Sequence, residues 1–209
     1  MMKFKRIALL LLAFSLAGAG TIFADSVLEK YYAKKISVKL NGNEIDNTGL
    51  VVDFGKDSRA MAPLRDIVQS MGGIVRGDNA NDSIDIIKPN VQLSMHTFQY
   101  VKEDIQLSRP YGSFEKGENS NLAVLAQIDS LTSPISSLRM TIVDPFGAEV
   151  EKIEKSITEH QGNFWFRFLM SKVNFKYSGD YKVNLFMKLS GDNEYAQVSQ
   201  MTIKSISSK

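Results

Sequence analysis

The stretch Arg59–Asp78, RAMAPLRDIVQSMGGIVRGD, contains the signals for one short helix that leads directly into a strand. Pro63 suits the first helical position, because its missing N–H needs no partner there and its φ is already helical. The apolar stripe that follows at helical spacing consists of Leu64, Ile67, Val68 and Met71. Gly72 and Gly73 supply the left-handed stop that commonly ends a helix. The spacing predicts a helix over residues 63–71.

This helix needs support from other elements. Burying its four apolar side chains yields roughly 6–10 kcal/mol, whereas fixing about nine residues costs on the order of 10–15 kcal/mol of backbone entropy. The apolar stripe must therefore lie on neighbouring strands. Arg65 lies off the stripe, where it could pair with a carboxylate or face a partner. We expect a structural role for the motif formed by Pro63, Leu64, Arg65, Gly72 and Gly73.

Short strands flank the helix on both sides. Ile36–Leu40 alternates apolar and polar residues, and Asn41-Gly42 is a strong hairpin signal before the return Asn43–Ile45. A further strand is predicted at Leu50–Phe54, followed by a loop from Gly55 to Ser58. After the helix, strands are predicted at Ile74–Arg76 and Ile84–Ile87, joined by a polar turn at Asp78–Ser83. The predicted order is strand, hairpin, strand, helix, strand, turn, strand.

Several segments in this region carry a family resemblance: Val38–Gly42, Ala62–Arg65, Met71–Val75, Asp78–Ala80 and Ser83–Ile86. Over about residues 36–87 the chain resembles the copper amine oxidase N-terminal-like module, the "stalk" domain of many exported proteins of Gram-positive bacteria. Ala62 stands where that family usually has valine, and Gly77 where it usually has an aromatic residue. The resemblance implies a small α+β module, usually without catalytic function, in an exported or wall-associated protein.

The first 24 residues have the order of a secretory signal peptide. Lys3, Lys5 and Arg6 precede the apolar run Ile7–Ala19, and Ile22-Phe23-Ala24 offers a cleavage site between Ala24 and Asp25. The alternative is an uncleaved anchor, since the 18 residues from Ile7 to Ala24 carry no charge. In both cases we expect a secreted, cell-surface or cell-wall-associated protein, and it contacts the membrane only if this segment is uncleaved. Residues 25–35 form a polar lead-in.

Composition excludes several classes of function. Removing Lys3, Lys5 and Arg6 lowers the basic count from 25 to 22 against 23 acidic residues, a net charge of −1. A near-neutral chain of about 185 residues has no basic footprint for nucleic acid. The sequence has no cysteine, which excludes disulfides, a thiol nucleophile, sulfur-ligated zinc and lipid attachment of the lipoprotein kind.

The rest of the chain is predicted to be β-structure. Val91, Leu93 and Met95 alternate with polar residues, and this strand could belong to either domain. We expect the stalk domain to extend from 36 to 105, with a linker at 106–119. From 120 to 206, six or seven short alternating strands predict a β-sandwich, and Ser178–Val183 resembles the entry to a late strand of immunoglobulin-like domains. The expected fold is an α+β module followed by an all-β, immunoglobulin-like sandwich.

The chemistry-bearing residues favour structural roles. His96 lies in an alternating strand and His160 precedes a turn, so neither is expected to bind copper or another metal. The acidic residues Glu149, Glu151, Glu154 and Glu159 alternate with lysines, as on a solvated strand face. Asp78–Asp82 lacks the oxygen and glycine positions of a calcium loop, which favours a turn. No cofactor is expected.

One aromatic strand stands out as a candidate interaction surface. Phe164, Phe166 and Phe168 should face the core, while Trp165 and Arg167 share the opposite face. Tryptophan and arginine are enriched at binding hot spots. The alternative is that the strand is buried on both sides, or that a loop covers Trp165.

Two functions remain open at this point. The leading hypothesis is a non-enzymatic, exported bacterial protein that binds an unknown protein or a cell-wall partner. The alternative is an exported enzyme, or an accessory domain of one, that acts on cell-wall glycan. Two carboxyl groups about 5–10 Å apart in a pocket would favour the enzyme, and a flat surface centred on Trp165 would favour binding.

Overall fold

The computed structural model describes residues 33–40, 43–44, 49–53, 58–78, 83–110 and 112–207. The predicted signal peptide, its cleavage site at Ala24–Asp25 and the lead-in up to residue 32 lie outside these ranges. The chain divides into two compact units between Ile67 and Val68.

The described part of the first unit contains five short strands and the start of the helix. Its three-stranded antiparallel sheet consists of β1 (Ala33–Ile36), β4 (Gly49–Asp53) and β5 (Ser58–Met61), with β4 in the middle. A separate pair consists of β2 (Lys39–Leu40) and β3 (Asn43–Glu44). Leu40 lies opposite Asn43, the register that a two-residue hairpin requires; the predicted turn residues 41–42 lie outside the described ranges. The expected single strand over 36–40 is two strands, and β5 replaces the end of the predicted loop.

Helix α1 (Leu64–Ser70) confirms the predicted helix. The Ile67 N–H donates to the Pro63 carbonyl at 3.1 Å, and the Gly73 N–H donates to the Val68 carbonyl at 2.8 Å, which closes the last turn. Gly72 has φ +73°, as the predicted left-handed stop requires.

The expected burial of the whole apolar stripe of α1 is wrong. Val68 is 3% exposed, but Leu64 and Met71 are 42% and 46% exposed. Val68 packs on Gly73, where an added Cβ would stand 2.6 Å from Val68 Cγ1. Leu64 is the first residue of the seven-residue helix and Met71 follows its last residue, so both lie beyond this contact.

The strands that follow α1 belong to the second unit. β6 (Ile74–Asp78) and β7 (Ser83–Ile87) form an antiparallel hairpin, and the predicted turn residues 79–82 lie outside the described ranges. The buried residues Ile74 and Ile87 are part of the main core. The region resembling the stalk module therefore crosses the division between the units.

Seven strands form the main sheet of the second unit. They are β8 (Asn90–Val101), β9 (Asp104–Pro110), β10 (Ser113–Glu115), β11 (Asn119–Val143), β12 (Glu149–Asn174), β13 (Gly179–Leu189) and β14 (Ala196–Ile206). β11 and β12 are 25 and 26 residues long and pair with each other as one extended hairpin. A tight turn joins them, in which the Gly147 N–H donates to the Asp144 carbonyl at 3.1 Å.

The long hairpin bends and takes part in two layers. Residues 122–129 of β11 pair with β8, whereas residues 135–143 pair with β13. Register shifts lie between these parts, and Ser130 has φ +59°. The first layer has the order β9, β8, β11, β12, and the second has the order β12, β11, β13, β14, β10. The result is an all-β sandwich.

One buried cluster fills the space between the layers. The first layer contributes Met95, Val124 and Phe168, and the second contributes Met140, Leu185 and Ile203 among others. β11 alone places Leu122, Val124, Ala126 and Ile128 in the core from its first part, and Leu138, Met140 and Ile142 from its second. This is the period-two pattern of the sequence.

The predicted linker at 106–119 is not observed. β9 and β10 occupy most of that segment, and β8 and β9 lie in the same sheet as β11. Val91, Leu93 and Met95 lie opposite core residues of β11, which explains why this strand joins the sandwich. Residues 120–206 supply four long strands in place of six or seven short ones.

Candidate functional site

Residues 164–170 of β12 pair with residues 122–128 of β11, and we call them the second part of β12. This second part has an aromatic face on the core. Phe164, Phe166 and Phe168 lie opposite Ile128, Ala126 and Val124 of β11. Phe168 is fully buried, while Phe164 and Phe166 are partly buried and pack against the core. Phe166 and Phe168 touch with ring centroids 4.8 Å apart. The three phenylalanines therefore fix the orientation of this strand.

The opposite face of the first layer carries the predicted surface residues. Strand pairing aligns three rows across β8, β11 and β12: Gln92, Gln127 and Trp165; Ser94, Leu125 and Arg167; His96, Ala123 and Leu169. We call these nine residues the Trp165 face. Within a row, residues on adjacent strands are cross-strand neighbours about 4.5–5.5 Å apart at Cβ.

Trp165 is the most prominent member of this face. Its side chain is 66% exposed, so no loop of the described chain covers it. The neighbouring Gln127 is held in place, because its amide donates to Asp129 Oδ2 at 2.9 Å. Arg167 is also exposed, two residues along the same strand. The interaction role of Trp165 and Arg167 stays a prediction.

The sequence pattern around Trp165 did not reveal which side chains lie beside it. Gln127 and Leu125 come from a strand about 40 residues earlier in the chain, and Gln92 and Ser94 come from a strand whose domain assignment was open. The alternation of each strand was readable, but only the register aligns the three rows.

His96 is held by hydrogen bonds at the side of this face. Nδ1 lies 2.9 Å from the Ser108 carbonyl oxygen, so it carries the proton and donates. Nε2 is then free to accept from the Ser94 hydroxyl at 3.4 Å. His160 stacks on the Phe164 ring with centroids 5.1 Å apart. Both contacts fit the structural roles expected from the sequence.

A polar cluster lies on the outer side of the second layer. Arg139 Nε donates to Glu154 Oε1 at 2.7 Å, and the Arg139 guanidinium lies 3.7 Å from the centroid of the Tyr195 ring. The Tyr195 hydroxyl lies 2.6 Å from Ser137 Oγ, which itself donates to the Lys155 carbonyl. No local pattern indicates this cluster, since Tyr195 and Ser137 are 58 residues apart.

One acidic residue of β12, Glu154, takes part in this cluster. A hydrogen bond from Lys152, followed by the charge of Arg139, holds the pKa of the Glu154 carboxyl below its usual range. Lys152 Nζ lies 3.2 Å from Glu154 Oε1. Glu154 is therefore an ion-paired surface carboxylate.

Two features are absent from the residues that the structure describes. No group of three or more His, Asp or Glu side chains within the described ranges could hold a metal ion. In the same ranges no helix is long and apolar enough to cross a bilayer.

The structure of this chain weakly resembles immunoglobulin-like domains. An immunoglobulin-like protein from Pseudomonas aeruginosa aligns with 57% of this chain and 96% of its own, at 9% identity and a TM-score of 0.34. The C-terminal domain of Wzt aligns with 66% of this chain and 78% of its own, at 10% identity and a TM-score of 0.36. The CARDB domain of a Pyrococcus furiosus protein, in complex with di-metal ions, aligns with 57% and 90%, at 8% identity and a TM-score of 0.31.

No family model matches the chain. No curated protein matches it either. The resemblance of residues 36–87 to the copper amine oxidase N-terminal-like module therefore stays a prediction, and the sandwich rests on strand pairing and burial alone.

Proposed function

We propose that this chain is a non-enzymatic bacterial binding protein, exported to the cell surface, that recognises a protein or cell-wall partner through the Trp165 face. The observation that carries the proposal is the exposure of Trp165, at 66%, beside the exposed Arg167 on a regular strand. Export is proposed from the charge and apolar pattern of residues 1–24.

The position of Trp165 suits a binding role. A large aromatic side chain exposed to water gains free energy when a partner covers it, at about 25 cal/mol per Å² of apolar area. The three phenylalanines on the other face anchor the strand in the core, so the backbone that carries the indole is already ordered before binding. Preorganisation of this kind raises affinity by lowering the ordering cost.

The neighbours of Trp165 define the chemistry of the partner. Arg167 offers a planar guanidinium that pairs with carboxylates or stacks on flat groups, and Leu125 and Leu169 add partly buried apolar area. The face fits a partner that combines an apolar or flat group with a carboxylate. Both protein surfaces and cell-wall peptides carry such groups.

A co-sedimentation assay with purified cell walls, together with a pull-down from the secreted proteins of an expressing bacterium, tests the proposal. We expect Trp165→Ala and Arg167→Ala to weaken binding about tenfold or more, as hot-spot residues do. Phe146→Ala is the matched control, because Phe146 is 77% exposed but lies in the turn between β11 and β12. Wild-type binding by Trp165→Ala would contradict the proposal.

The alternative of a glycan-acting enzyme is tested separately. Incubation of the purified chain with cell-wall glycan should release no reducing ends above background. Hydrolysis that survives in Trp165→Ala but is lost on substitution of a carboxylate would contradict a non-enzymatic role.

A further inference from the structure

β12 is an edge strand in both layers of the sandwich. Within the described residues it pairs only with β11, which lies on one side of it along its whole length. Half of the backbone N–H and C=O groups of an edge strand point away from the sheet and can pair with another strand. The edge of β12 is therefore a place where a further strand can add.

Other edges of the sandwich have features that discourage such pairing. β10 is only three residues long, and β9 ends at Pro110, which has no N–H. The first part of β12 places Glu151, Lys152 and Glu154 along its edge. Short length, proline and charge are the usual means by which proteins block edge-to-edge contact.

The second part of β12 lacks these features. Its seven residues Phe164–Met170, FWFRFLM, contain one charge and no proline, and they lie between the positive-φ positions Gly162 and Lys172. Aromatic, weakly charged and regular segments of this kind pair readily with other strands. Phe164 and Phe166 are also only partly buried at this open side of the core.

We propose that a second copy of this chain covers this edge, with the two Phe164–Met170 segments antiparallel about a two-fold axis at Phe166. The first layers of the two copies then form one continuous sheet, and both cores lie on the same side of it. This inference goes beyond the binding function proposed above, because it concerns the edge of the sheet and needs no other partner.

Side-chain complementarity selects this register. With the axis at Phe166, Trp165 of each copy lies opposite Arg167 of the second copy, which places two cations beside two indole rings. On the core side, Phe164 lies opposite Phe168 of the second copy, so the open part of each core is covered. An axis at Arg167 would instead put two like charges directly opposite each other, which is destabilising.

Disulfide trapping tests both the contact and its register, because the chain contains no cysteine of its own. Full chains carrying either Trp165→Cys or Arg167→Cys are mixed and mildly oxidised. Positions 165 and 167 of different copies are then directly opposite, and the mixed dimer keeps one Trp–Arg pair. We expect the mixture to cross-link at least about fivefold more than either variant alone, since one variant alone retains no such pair.

Phe146→Cys measures random collision, because this exposed residue lies in the β11–β12 turn. Cross-linking of the mixture no greater than that of Phe146→Cys would overturn the proposal, as would stronger cross-linking of Trp165→Cys alone, which requires the axis at residue 165.

Sedimentation equilibrium provides a second measurement without cysteine. We expect the wild-type chain to dimerise and Arg167→Glu to raise the dimer dissociation constant roughly tenfold, through loss of two cation–aromatic contacts. Glu151→Lys, a charge change in the first part of the same strand, should leave the constant within about twofold. The proposal would be overturned if the wild-type chain stayed monomeric at the highest concentration measured. It would also be overturned if wild type and Arg167→Glu had equal dimer dissociation constants.

Discussion

The two parts of β12 both have an unpaired edge, but they differ in the residues that they place along it. Both pair with β11 on one side, and both leave the other side open within the described chain. The first part carries ion-paired charges, with Glu154 bound to Arg139 and Lys152. The second part carries four aromatic residues between positions 164 and 168. Charge keeps an edge in water, whereas exposed aromatic area favours contact.

Within the aromatic second part of β12, buried and exposed residues lie on opposite faces of the strand. Phe168 is fully buried, whereas Trp165 three residues away is 66% exposed. Residues of similar size on one strand therefore serve different ends: the phenylalanines stabilise the sandwich, and the tryptophan is available to a partner.

The largest effect should come from the core side of the aromatic part. Phe168→Ala should destabilise the second unit by about 3–5 kcal/mol, because it removes a fully buried ring and leaves a cavity. Urea unfolding followed by far-UV circular dichroism measures the change. Trp165→Ala is the matched control and should cost below about 1 kcal/mol. Equal losses of unfolding free energy in Phe168→Ala and Trp165→Ala would contradict the assignment of Phe168 to the core face and Trp165 to the exposed face.

An intermediate effect is expected beside the charged part of β12. Ser137 Oγ donates to the Lys155 carbonyl, so the Tyr195 hydroxyl donates to Ser137 at 2.6 Å. Tyr195→Phe should therefore cost about 1 kcal/mol through the lost hydrogen bond, while keeping the ring beneath Arg139. Tyr100→Phe, at a tyrosine that is 63% exposed, should change the midpoint of urea unfolding very little. A Tyr195→Phe midpoint equal to wild type would argue against this bond in solution.

The smallest effect should come from the ion pairs of Glu154. Its pKa is lowered in the folded chain, first by the hydrogen bond from Lys152 and then by Arg139. A lowered folded pKa stabilises above the unfolded pKa, and this stabilisation is lost as the pH falls through the folded pKa. Wild type should therefore be slightly more stable than Glu154→Gln at neutral pH, and the difference should vanish as the pH falls below 4.5.

Urea midpoints of both chains between about pH 7 and pH 3 measure this difference. Lys152→Gln should reduce the advantage of the glutamate, because Lys152 is the first cause of the shift. A difference that grows on acidification would reverse the sign and contradict the assignment.

The sequence predicted local features well where a single strand or turn carries its own signal. The alternation at Phe164–Phe168 predicted which side of β12 faces the core, and the structure confirms it. The stop at Gly72 was also predicted from the helix pattern. The structure adds that a Cβ at Gly72 would collide with the backbone carbonyl of Val198, 126 residues away in the chain.

The wrong predictions concern segments whose place in the fold depends on pairing with strands that are distant in the sequence. The alternation at Val91–Met95 fitted either domain, and only pairing with β11 assigned it to the sandwich. The glycines, proline and charges of residues 106–119 predict a linker, because such residues mark turns. In the structure β9 pairs with β8 and β10 pairs with β14. Local propensity sets which conformations a segment can adopt, and tertiary contacts select among them.

The cysteine-free, near-neutral composition, the position of α1 and the two faces of the aromatic strand can be read from the amino-acid sequence. These follow from the period of a helix or strand and from residue chemistry, which need no knowledge of distant parts of the chain. The pairing of β11 and β12 across two layers, the exposure of Trp165, and the position of Gln127 and Leu125 beside Trp165 and Arg167 depend on the tertiary fold. Strand order, register and solvent exposure depend on which strands pair in a sheet. The period-two alternation of one strand carries no information about which strand it pairs with.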